Sequence, residues 1–430
     1  MNGRTYMKKF LTLTTAIATV LCSSDAFAAG FHLREQSAAA QGNSYAGATA
    51  GAEDISYTYY NVAGLTRHQG TQISLGATYI APKAEAKNVR GEDGRRDADV
   101  QNVVHAAISP NFAVSHQINE KWFAGISGNS PFGMITKYDK DWVGSDHGIT
   151  SDVKTATITP MVAYKATDKL SLGAGLQAQL VWAHLTNSHS RSRTGIVTVG
   201  GHAMDLGYQL GLMYEFNPAT RFGIGYRSQI RHKIKGKMRS SGSELSAIPG
   251  YAAAGAQADA LMNQKISAKL TTPAVFSVGA YHDLNDKWSV MAEYQRVFWS
   301  CFQNLTFVSR NGGYAISRVN EKWRDTNFFA VGTSYMLDEQ WKLRLGLAYD
   351  QSAVRYKHRT PRIPDTDRIW YSAGLNYQYN DHLSFNMSYT YIQAHKASLN
   401  TAYTGNEGRN VTAEYNNSIK VFAFGAVYNF

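Results

Sequence analysis

Apolar and polar residues alternate one by one along short segments from about residue 71 to the end of the chain. In the segment 383–391, Leu, Phe, Met and Tyr occupy every second position, and Ser, Asn and Thr lie between them. The segments 155–164, 170–180 and 343–350 show the same period of two. Because successive side chains of a strand point to opposite faces, this pattern predicts strands with one apolar and one polar face.

Tight turns and longer loops connect these segments in alternation. The turns at 165–169 and 215–220 carry Asn, Asp or Pro, whereas the gaps 82–102 and 238–263 are long. This alternation and an even number of strands are typical of bacterial outer-membrane barrels. The segmentation predicts fourteen strands, at 71–81, 103–116, 121–130, 153–165, 169–186, 200–215, 220–237, 264–283, 286–302, 323–337, 340–351, 367–380, 382–395 and 417–430.

Alternation alone does not say which face points outward, because a soluble sandwich buries its apolar face and a membrane barrel turns that face to lipid. Two further patterns favour an all-β, antiparallel transmembrane barrel. The last segment carries aromatic residues on one face and ends in Phe430, which resembles the signal that the outer-membrane assembly machinery recognises. Aromatic residues also lie near predicted strand ends, where interfacial girdles belong, at Trp122, Trp182, Trp288, Trp341, Trp370, Tyr377 and Tyr379.

The first 28 residues have the composition of a cleavable export signal. Three basic residues precede the apolar run 10–22, which is too short to span a bilayer as a helix, and Ala26-Phe27-Ala28 supplies the small residues that signal peptidase needs. We therefore expect cleavage after Ala28 and export to the bacterial outer membrane. A lipoprotein cut before Cys22 is the alternative, and bulky Leu21 disfavours it.

Composition narrows the classes of partner. The net charge is +11, and it becomes +9 without the signal, which holds three of the 43 Lys and Arg residues and one of the 32 acidic residues. This charge is scattered, so we expect a polar rim facing anionic outer-membrane lipid, and no nucleic-acid partner. Cys301 stands alone in the mature chain, and the His residues show no metal spacing, so no cofactor or metal is expected.

Residues 29–70 break the alternating pattern. The stretch 37–52 is rich in Ala, Gly and Ser and predicts neither a long helix nor a strand. Small side chains suit a segment folded inside a barrel lumen, and plugged barrels exist. A mobile periplasmic tail is the alternative from composition, because such runs also form flexible linkers.

Short motifs along the whole mature chain resemble the FadL-type family of long-chain fatty acid and hydrocarbon transporters. The mature start Ala29–Leu33 and the run Tyr60–Leu65 resemble the family's N-terminal hatch. The other matching motifs are Ser130–Gly133, Asp141–Gly144, Ala163–Lys165, Trp299–Phe302, Ala348–Ser352 and Ile363–Gly374. This resemblance decides the interpretation of residues 29–70 in favour of a hatch.

The resemblance implies a signal peptide at 1–28, a hatch at 29–70 that includes Phe31, Asn61, Ala63 and Gly64, and a fourteen-stranded barrel at 71–430. In the family, ligand captured by outer loops enters an apolar pocket and leaves sideways through a gap at a kinked third strand. The expected kink comprises Ser130, Pro131, Phe132 and Gly133. Pro131 lacks a backbone donor and Gly133 lacks a side chain, so strand pairing should fail there, although Pro131 could instead begin a loop.

Two departures from the family pattern concern the hatch and the outer loops. The hatch motif Asn-Pro-Ala reads Asn61-Val62-Ala63, so the turn must be held without a proline. The loop 187–199 is short, which shifts the expected capture site to 238–263. An apolar helix over Ala252–Met262, with Ala252, Leu261 and Met262, is the candidate for capture.

Three polar residues are candidates for particular roles. A carboxylate ligand needs a cation or donor beside an apolar channel, and Arg324 and His184 are the candidates. For Arg324, an ordinary solvated position at the barrel rim is the alternative. Asp350 is expected to contact the hatch and position it, because a carboxylate pointing into a lumen needs a donor.

Together these patterns predict a passive channel for long-chain fatty acids or similar hydrophobic molecules, and not an enzyme. A general porin for small polar solutes is one alternative, and residues 29–70 argue against it. An outer-membrane phospholipase is the other, with His105, His116 and His184 as the only formal candidates. The Gly-rich run 173–178 lies within an alternating strand, so it is no dinucleotide site.

Overall fold

The computed structural model describes residues 30–100, 102–189, 195–242 and 248–430, so the predicted signal peptide lies outside the described residues. Twenty strand segments join into one antiparallel sheet. Six of the strands in the wall consist of two collinear segments, which makes fourteen wall strands. The first wall strand pairs with both the second and the last, so the sheet closes into a barrel. The predicted fourteen-stranded antiparallel barrel is confirmed.

The strands are numbered here by their place in the wall. They are β1 (Thr71–Gly91), β2 (Ala107–Gln117), β3 (Trp122–Asn129 and Gly133–Lys137), β4 (Thr150–Lys165), β5 (Leu170–Ser188), β6 (Ile196–Asn217), β7 (Thr220–Arg227 and Ile230–Ser241), β8 (Gln264–Thr272 and Val275–Asp283), β9 (Trp288–Val297 and Asn304–Ser309), β10 (Ala315–Asn320 and Thr326–Met336), β11 (Trp341–Asp350), β12 (Arg368–Gln378), β13 (Leu383–Ala394 and Ala397–Asn400) and β14 (Val411–Asn429).

The described helices are short. They are α1 (Ala38–Gly42), α2 (Ala252–Met262) and the 3-10 helices Ile55–Tyr59, Val62–Arg67, Trp299–Cys301, Tyr356–His358 and Thr401–Tyr403. Within the described ranges, no helix is both long enough and apolar enough to cross a membrane.

Several strands run further outward than the sequence pattern indicated. The interval 82–102 was predicted to be a loop, but β1 continues to Gly91 because it pairs with the start of β14. The interval 187–199 was also predicted to be a loop, but β5 and β6 pair out to Ser188 and Ile196. In the extension of β1 the side chains that alternate with buried ones are polar, so the apolar periodicity that predicts lipid-facing strands is absent there.

The outward face of the wall carries the apolar residues. Leu75, Met204, Leu206 and Leu345 are all about 60% exposed, at 60%, 65%, 63% and 58% respectively. Such exposure is costly in water and favourable in lipid, so this band is the membrane-facing surface. The short turns lie at the end that holds both Thr71 and Phe430, which is therefore the periplasmic end.

The predicted aromatic girdle exists at the periplasmic end, but two of the predicted residues are not part of it: Trp182 lies in the outer half of β5, opposite His202, and Trp370 is buried. Trp122 packs on Tyr164 with ring centroids 4.6 Å apart, and Trp341 packs on Tyr377 at 4.4 Å. Trp370 was assigned to the girdle wrongly. It is fully buried inside the wall and meets the ring of Tyr45 edge-on, because its position on β12 points inward.

The segment Gly30–Leu65 packs against inward-facing residues on opposite sides of the wall. Helix α1 contacts β11 to β14, whereas the 3-10 helix Val62–Arg67 contacts β3 to β6. Wall glycines allow this close approach. A Cβ atom on Gly346 would overlap the backbone of Asn43, and one on Gly211 would overlap the side chain of Asn61. Any larger residue at either position would displace the segment.

Candidate functional site

Two connected cavities lie in the outer half of the barrel. The inner cavity, of about 60 Å³, is lined almost entirely by apolar side chains such as Met134, Ile234 and Leu270. The outer cavity, of about 240 Å³, is more polar. Six residues line both, namely Leu185, Val199, Leu305, Phe307, Glu321 and Arg362, so the two cavities meet at these residues.

Arg362 brings a cation to the boundary between the two cavities. Its Nη1 donates to the carbonyl of Thr150 (2.9 Å) and the hydroxyl of Ser151 (2.8 Å), and its Nη2 donates to the carbonyl of Thr186 (3.3 Å) and Oδ1 of Asn187 (3.4 Å). All four acceptors are neutral. Among the described residues, no carboxylate lies within ion-pair distance of this guanidinium, so its charge is held in place without being neutralised.

Glu321 is the acidic residue at the same boundary. It lies between the two segments of β10, above the lipid-facing segment Thr326–Met336, and it is buried. Burial raises the pKa of its carboxyl group to about 7, while the indole N–H of Trp323, at 3.1 Å from Oε2, and the charge of Arg362 act in the opposite direction. Burial also lowers the pKa of Arg362 to about 10, so this residue remains a cation at neutral pH.

Phe31 closes the inner end of the apolar cavity. Its ring centroid lies 4.7 Å from that of Trp299, 5.7 Å from that of Trp323 and 6.0 Å from that of Phe132. The preceding residue, Gly30, donates its N–H to Asp365 Oδ2 at 2.9 Å. The predicted hatch residue Phe31 thus packs in an aromatic cluster that also contains the predicted kink residue Phe132.

The wall is interrupted at the predicted kink. The ladder between β2 and β3 ends at the pair Phe112 and Gly128, and Ala107–Asn111 continues along β1 without a partner on β3. Bridging between these two segments of the chain resumes only where Val104 faces Thr136. We call the space between these two points, bounded by residues 105–111 and 129–135, the wall opening.

The chain at the kink pairs inward with the N-terminal segment. Leu33 N–H donates to the carbonyl of Pro131 at 2.8 Å, and Gly133 N–H donates to the carbonyl of Phe31 at 2.9 Å. Ser130 exchanges two hydrogen bonds with the side-chain amide of Gln36, at 2.9 and 3.1 Å. The kink residues therefore satisfy their backbone groups on the inner side of the wall.

Two buried ionic contacts tie the N-terminal segment to the wall. Arg34 Nη1 lies 3.1 Å from Asp350 Oδ2, and both side chains are almost fully buried. Towards the periplasm, Glu53 Oε2 lies 2.7 Å from Arg344 Nη2 and 3.2 Å from Lys342 Nζ. Asp350, for which a role in positioning the hatch was predicted, thus contacts Arg34 of the N-terminal segment.

The Asn61-Val62-Ala63 turn is held by the asparagine side chain. Its Oδ1 accepts from Ala63 N–H at 3.0 Å, which caps the following 3-10 helix. Its Nδ2 donates to the carbonyls of Thr49 (2.7 Å) and Leu212 (2.9 Å). Gly64 packs against Ala52, where a Cβ atom would be 3.1 Å from that methyl group. The missing proline is therefore replaced by side-chain hydrogen bonds.

The structure brings neither of the proposed carboxylate-binding residues to the described cavities. Arg324 donates to the carbonyl of Ser352 (3.1 Å), and its guanidinium lies 3.6 Å from Asp367. His184 lies on the outer face of β5, and its neighbour Leu185 lines the cavity instead. The period-two alternation decides this, because adjacent residues of a strand face opposite sides.

The helix expected at Ala252–Met262 forms with those bounds as α2. Met262 lines the outer cavity and packs on Met238 and Ile266. Ala252 is exposed, and Leu261 is 74% exposed, so neither contacts the cavity.

Arg362 and Glu321 were not predicted from the sequence. Arg362 directly precedes the motif that begins at Ile363, so extending that motif by one residue would have included it. No local pattern marks Glu321. Within the described parts of the chain, no group of three or more His, Cys, Asp or Glu side chains is arranged to hold a metal ion.

A closed fourteen-stranded barrel with an apolar outer band, a packed interior segment and an apolar cavity defines a bacterial outer-membrane transport protein. The family model described as "Outer membrane protein transport protein (OMPP1/FadL/TodX)" matches residues 19–430, and the chain belongs to this family. It is 28% identical to the long-chain fatty acid transport protein of Escherichia coli O6:H1 (strain CFT073), covering 98% of each chain. It is also 28% identical to outer membrane protein P1 of Haemophilus influenzae, covering 99% of this chain and all of the other.

Solved structures agree with the fold. The crystal structure of a Pseudomonas aeruginosa FadL homologue is 25% identical and superposes with a TM-score of 0.84 over 94% of this chain and all of the other. The Ralstonia pickettii toluene transporter TbuX, 20% identical with a TM-score of 0.66, shares the fold over 94% of this chain and 99% of the other.

Proposed function

We propose that this protein takes up long-chain fatty acids or similar hydrophobic molecules passively across the outer membrane. The observation that carries the proposal is the apolar cavity with the unneutralised cation of Arg362 at its outer boundary. An apolar chain would lie among Met134, Ile234 and Leu270, and its carboxylate would lie beside Arg362. The relatives named as fatty acid transporters support the same substrate class.

Arg362 suits a carboxylate because its neutral partners fix its position. Its four Nη–H bonds are directed to neutral acceptors, and Nε–H makes no hydrogen bond to any described residue. Below pH 7, where Glu321 is mostly protonated, a ligand carboxylate would therefore bring the first full negative charge to this guanidinium without displacing a protein carboxylate. The sequence-derived candidates Arg324 and His184 lack this setting.

We infer that residues 29–70 form the hatch and that ligand leaves sideways through the wall opening. The inner cavity and the opening are separated by Phe31 and Phe132, whose rings are 6.0 Å apart. Passage would require the strand-like contact between Phe31 and Gly133 to separate. That contact involves few backbone hydrogen bonds, so its rupture costs far less than opening an intact strand ladder. Helix α2 would capture ligand through Met262, which lines the outer cavity. The outer-membrane assembly machinery would recognise the chain at Phe430.

Arg362→Gln tests the substrate class. Removing a charge-assisted hydrogen bond of ~1.5–3 kcal/mol should weaken fatty-acid binding by roughly 10- to 100-fold. Binding of an uncharged hydrocarbon such as toluene should not change. Ligand binding to the purified, detergent-solubilised protein measures both affinities, and heat-dependent mobility on a gel verifies folding.

Arg324→Gln is the matched control, because it removes the same charge from a residue outside the cavity. Its fatty-acid affinity should equal that of the unmodified protein. Arg362→Lys should recover part of the lost affinity, since the charge is kept. Fatty-acid affinity that survives in folded Arg362→Gln but falls in Arg324→Gln would assign the anchor to Arg324 instead.

Fatty-acid binding should also weaken as the pH rises through about 7. Below that pH, Glu321, with its pKa raised to about 7, is mostly protonated, and Arg362 is then the one charge that the described residues bring to the boundary. Above it, the Glu321 carboxylate neutralises part of that charge and repels the ligand, so affinity at pH 8 should be several-fold lower than at pH 6. Glu321→Gln should remove the difference. An equal pH dependence in that variant would contradict this role for Glu321.

The alternative of a general porin predicts a different behaviour. A lumen open to polar solutes should give a large, steady conductance and size-dependent uptake of small sugars. The segment Gly30–Leu65 packs against opposite walls, which favours a closed lumen. Swelling of liposomes in sugars of increasing size, at a rate like that of a porin, would support the alternative.

A further inference from the structure

The outer half of β7 presents a row of cations to the outside of the barrel. Along Ile230–Ser241, buried residues alternate with exposed basic residues. The exposed residues are Arg231, Lys233, Lys235, Lys237 and Arg239. A lipid-facing strand normally carries apolar residues at its outward positions, so this row departs from the pattern of the rest of the wall.

Neighbouring strands add further basic residues to this row and do not neutralise its charge. Lys269 lies opposite Lys233 and Lys265 lies opposite Lys237 on β8, while Arg310 continues from there because its N–H donates to the carbonyl of Lys265. On β6, His202 lies opposite Lys235. We call this surface, made of the five β7 cations with Lys265, Lys269 and Arg310, the basic patch.

Like charges directly opposite each other on a sheet destabilise it, and this patch has almost no internal compensation. Of the residues that the structure describes, Asp152 is the only carboxylate that lines the groove in the patch, and it pairs with Lys154 at 3.2 Å. Among the described residues, none of the eight patch cations forms an ion pair. An external anion would therefore relieve repulsion as well as bind.

The position of the patch points to a membrane lipid. Met204 and Leu206 on β6 belong to the lipid-facing apolar band and are 65% and 63% exposed. His202, two residues further outward, is already level with Lys235. Lys235, Lys237 and Arg239 thus lie at and beyond the outer edge of this part of the apolar band, at the depth of the lipid phosphates of the outer leaflet, whereas Arg231 and Lys233 lie lower on β7.

The shape of the patch suits a bulky headgroup. A shallow groove runs across it, with Gly200, Gly201 and Gly236 along its floor and Trp182 at one side. The absence of side chains at three neighbouring positions leaves room for sugar rings against the backbone. Lysine and arginine stems can reach from their strand positions to phosphates at more than one height.

We propose that the basic patch binds a phosphorylated glycolipid of the outer leaflet, of the lipopolysaccharide class. Its phosphates would lie among Lys235, Lys237 and Lys265, and its acyl chains would lie along the band that contains Met204 and Leu206. This site is on the outer surface of the wall, whereas the cavity that Arg362 lines is on the inner side of the same glycine-rich stretch. None of the eight patch cations lines that cavity, so the site does not depend on the proposed transport function.

The test compares the triple variant Lys233→Gln, Lys235→Gln and Lys237→Gln with a control that removes Lys83, Lys87 and Lys420 in the same way. The control lysines lie on β1 and β14, and the first two contact Glu85 at 2.7 and 3.6 Å. Each purified protein is incubated with bisphosphorylated lipid A or with enzymatically dephosphorylated lipid A, and bound lipid is counted by native mass spectrometry.

The unmodified protein and the control should retain bisphosphorylated lipid A, and the patch variant should lose it by at least about tenfold in affinity, because each basic side chain near an anionic lipid contributes to binding. Dephosphorylated lipid should bind weakly to all three, and inorganic phosphate should compete only at high concentration. Fatty-acid binding should be unchanged throughout. If the triple variant does not fold, Lys235→Gln alone should still weaken binding measurably.

Equal retention by the patch variant and the control would overturn the proposal, as would binding that does not depend on the lipid phosphates. Full competition by low concentrations of inorganic phosphate would show a simple anion site and would overturn it too.

Discussion

Asp350→Asn is expected to destabilise the packing of the N-terminal segment by about 3–5 kcal/mol, the usual cost of removing one partner from a buried ion pair. The Arg34 guanidinium would stay buried, with the ring of Phe328 at 4.2 Å and the amide oxygen of Gln295 at 3.3 Å as its remaining contacts. Neither partner carries a full negative charge. Since Arg34 lies three residues from Phe31, the loss should loosen the part of the segment that closes the inner cavity.

Planar-bilayer recordings measure this loosening directly. The variant should show frequent open events of higher conductance, whereas the unmodified protein should stay closed, and deletion of residues 29–70 should give the largest conductance. Limited proteolysis should cut the variant within residues 30–65 first, because a released segment exposes its backbone.

Asp325→Asn is the matched control. It removes a carboxylate from the pair with Arg296, whose atoms are 3.2 Å apart but whose arginine side chain is 40% exposed. Exposed pairs contribute about 0–1 kcal/mol, so this change should leave conductance and proteolysis unaltered. Unaltered conductance in Asp350→Asn as well would mean that the pair does not hold the segment in place.

The fold could be predicted because lipid imposes one rule on every wall strand. Each membrane-facing position must be apolar and each inward neighbour can be polar, so β5, β11 and β13 show the alternation over almost their full length. Outside the lipid this rule ends. The outer part of β1 carries Lys83 and Glu85 at its outward positions, so its extension depends on pairing with β14, which no local pattern records.

The candidate site was predictable only in part, for a related reason. Pro131 and Gly133 indicated the kink because one lacks a ladder donor and the other lacks a side chain, although Pro110 and Pro160 lie within paired strands. Arg362 and Glu321 meet only because a loop and a strand break are brought together by the closed barrel. His184 was placed on the wrong side of β5 because a shift of one residue exchanges the two faces of a strand.

The final expectation concerns the wall opening. Gly133→Trp should reduce fatty-acid uptake by intact cells to the level of cells that lack the protein, while fatty-acid binding to the purified variant is retained. Phe132 belongs to the inner aromatic cluster and Met134 lines the cavity, so residue 133 faces the opposite, outer side. An indole at this position would occupy the opening without entering the cavity. The barrel should still fold, because no ladder with β2 exists there to be broken.

Leu347→Trp serves as the control, since it adds an indole to an exposed, lipid-facing position on β11 that is paired on both sides. Uptake by that variant should equal that of the unmodified protein. The decisive comparison is uptake against occupancy in the same Gly133→Trp preparation. Uptake lost with occupancy kept requires an exit at the opening. Normal uptake by the folded Gly133→Trp variant would mean that the ligand leaves past the N-terminal segment towards the periplasm. That result would contradict the lateral route.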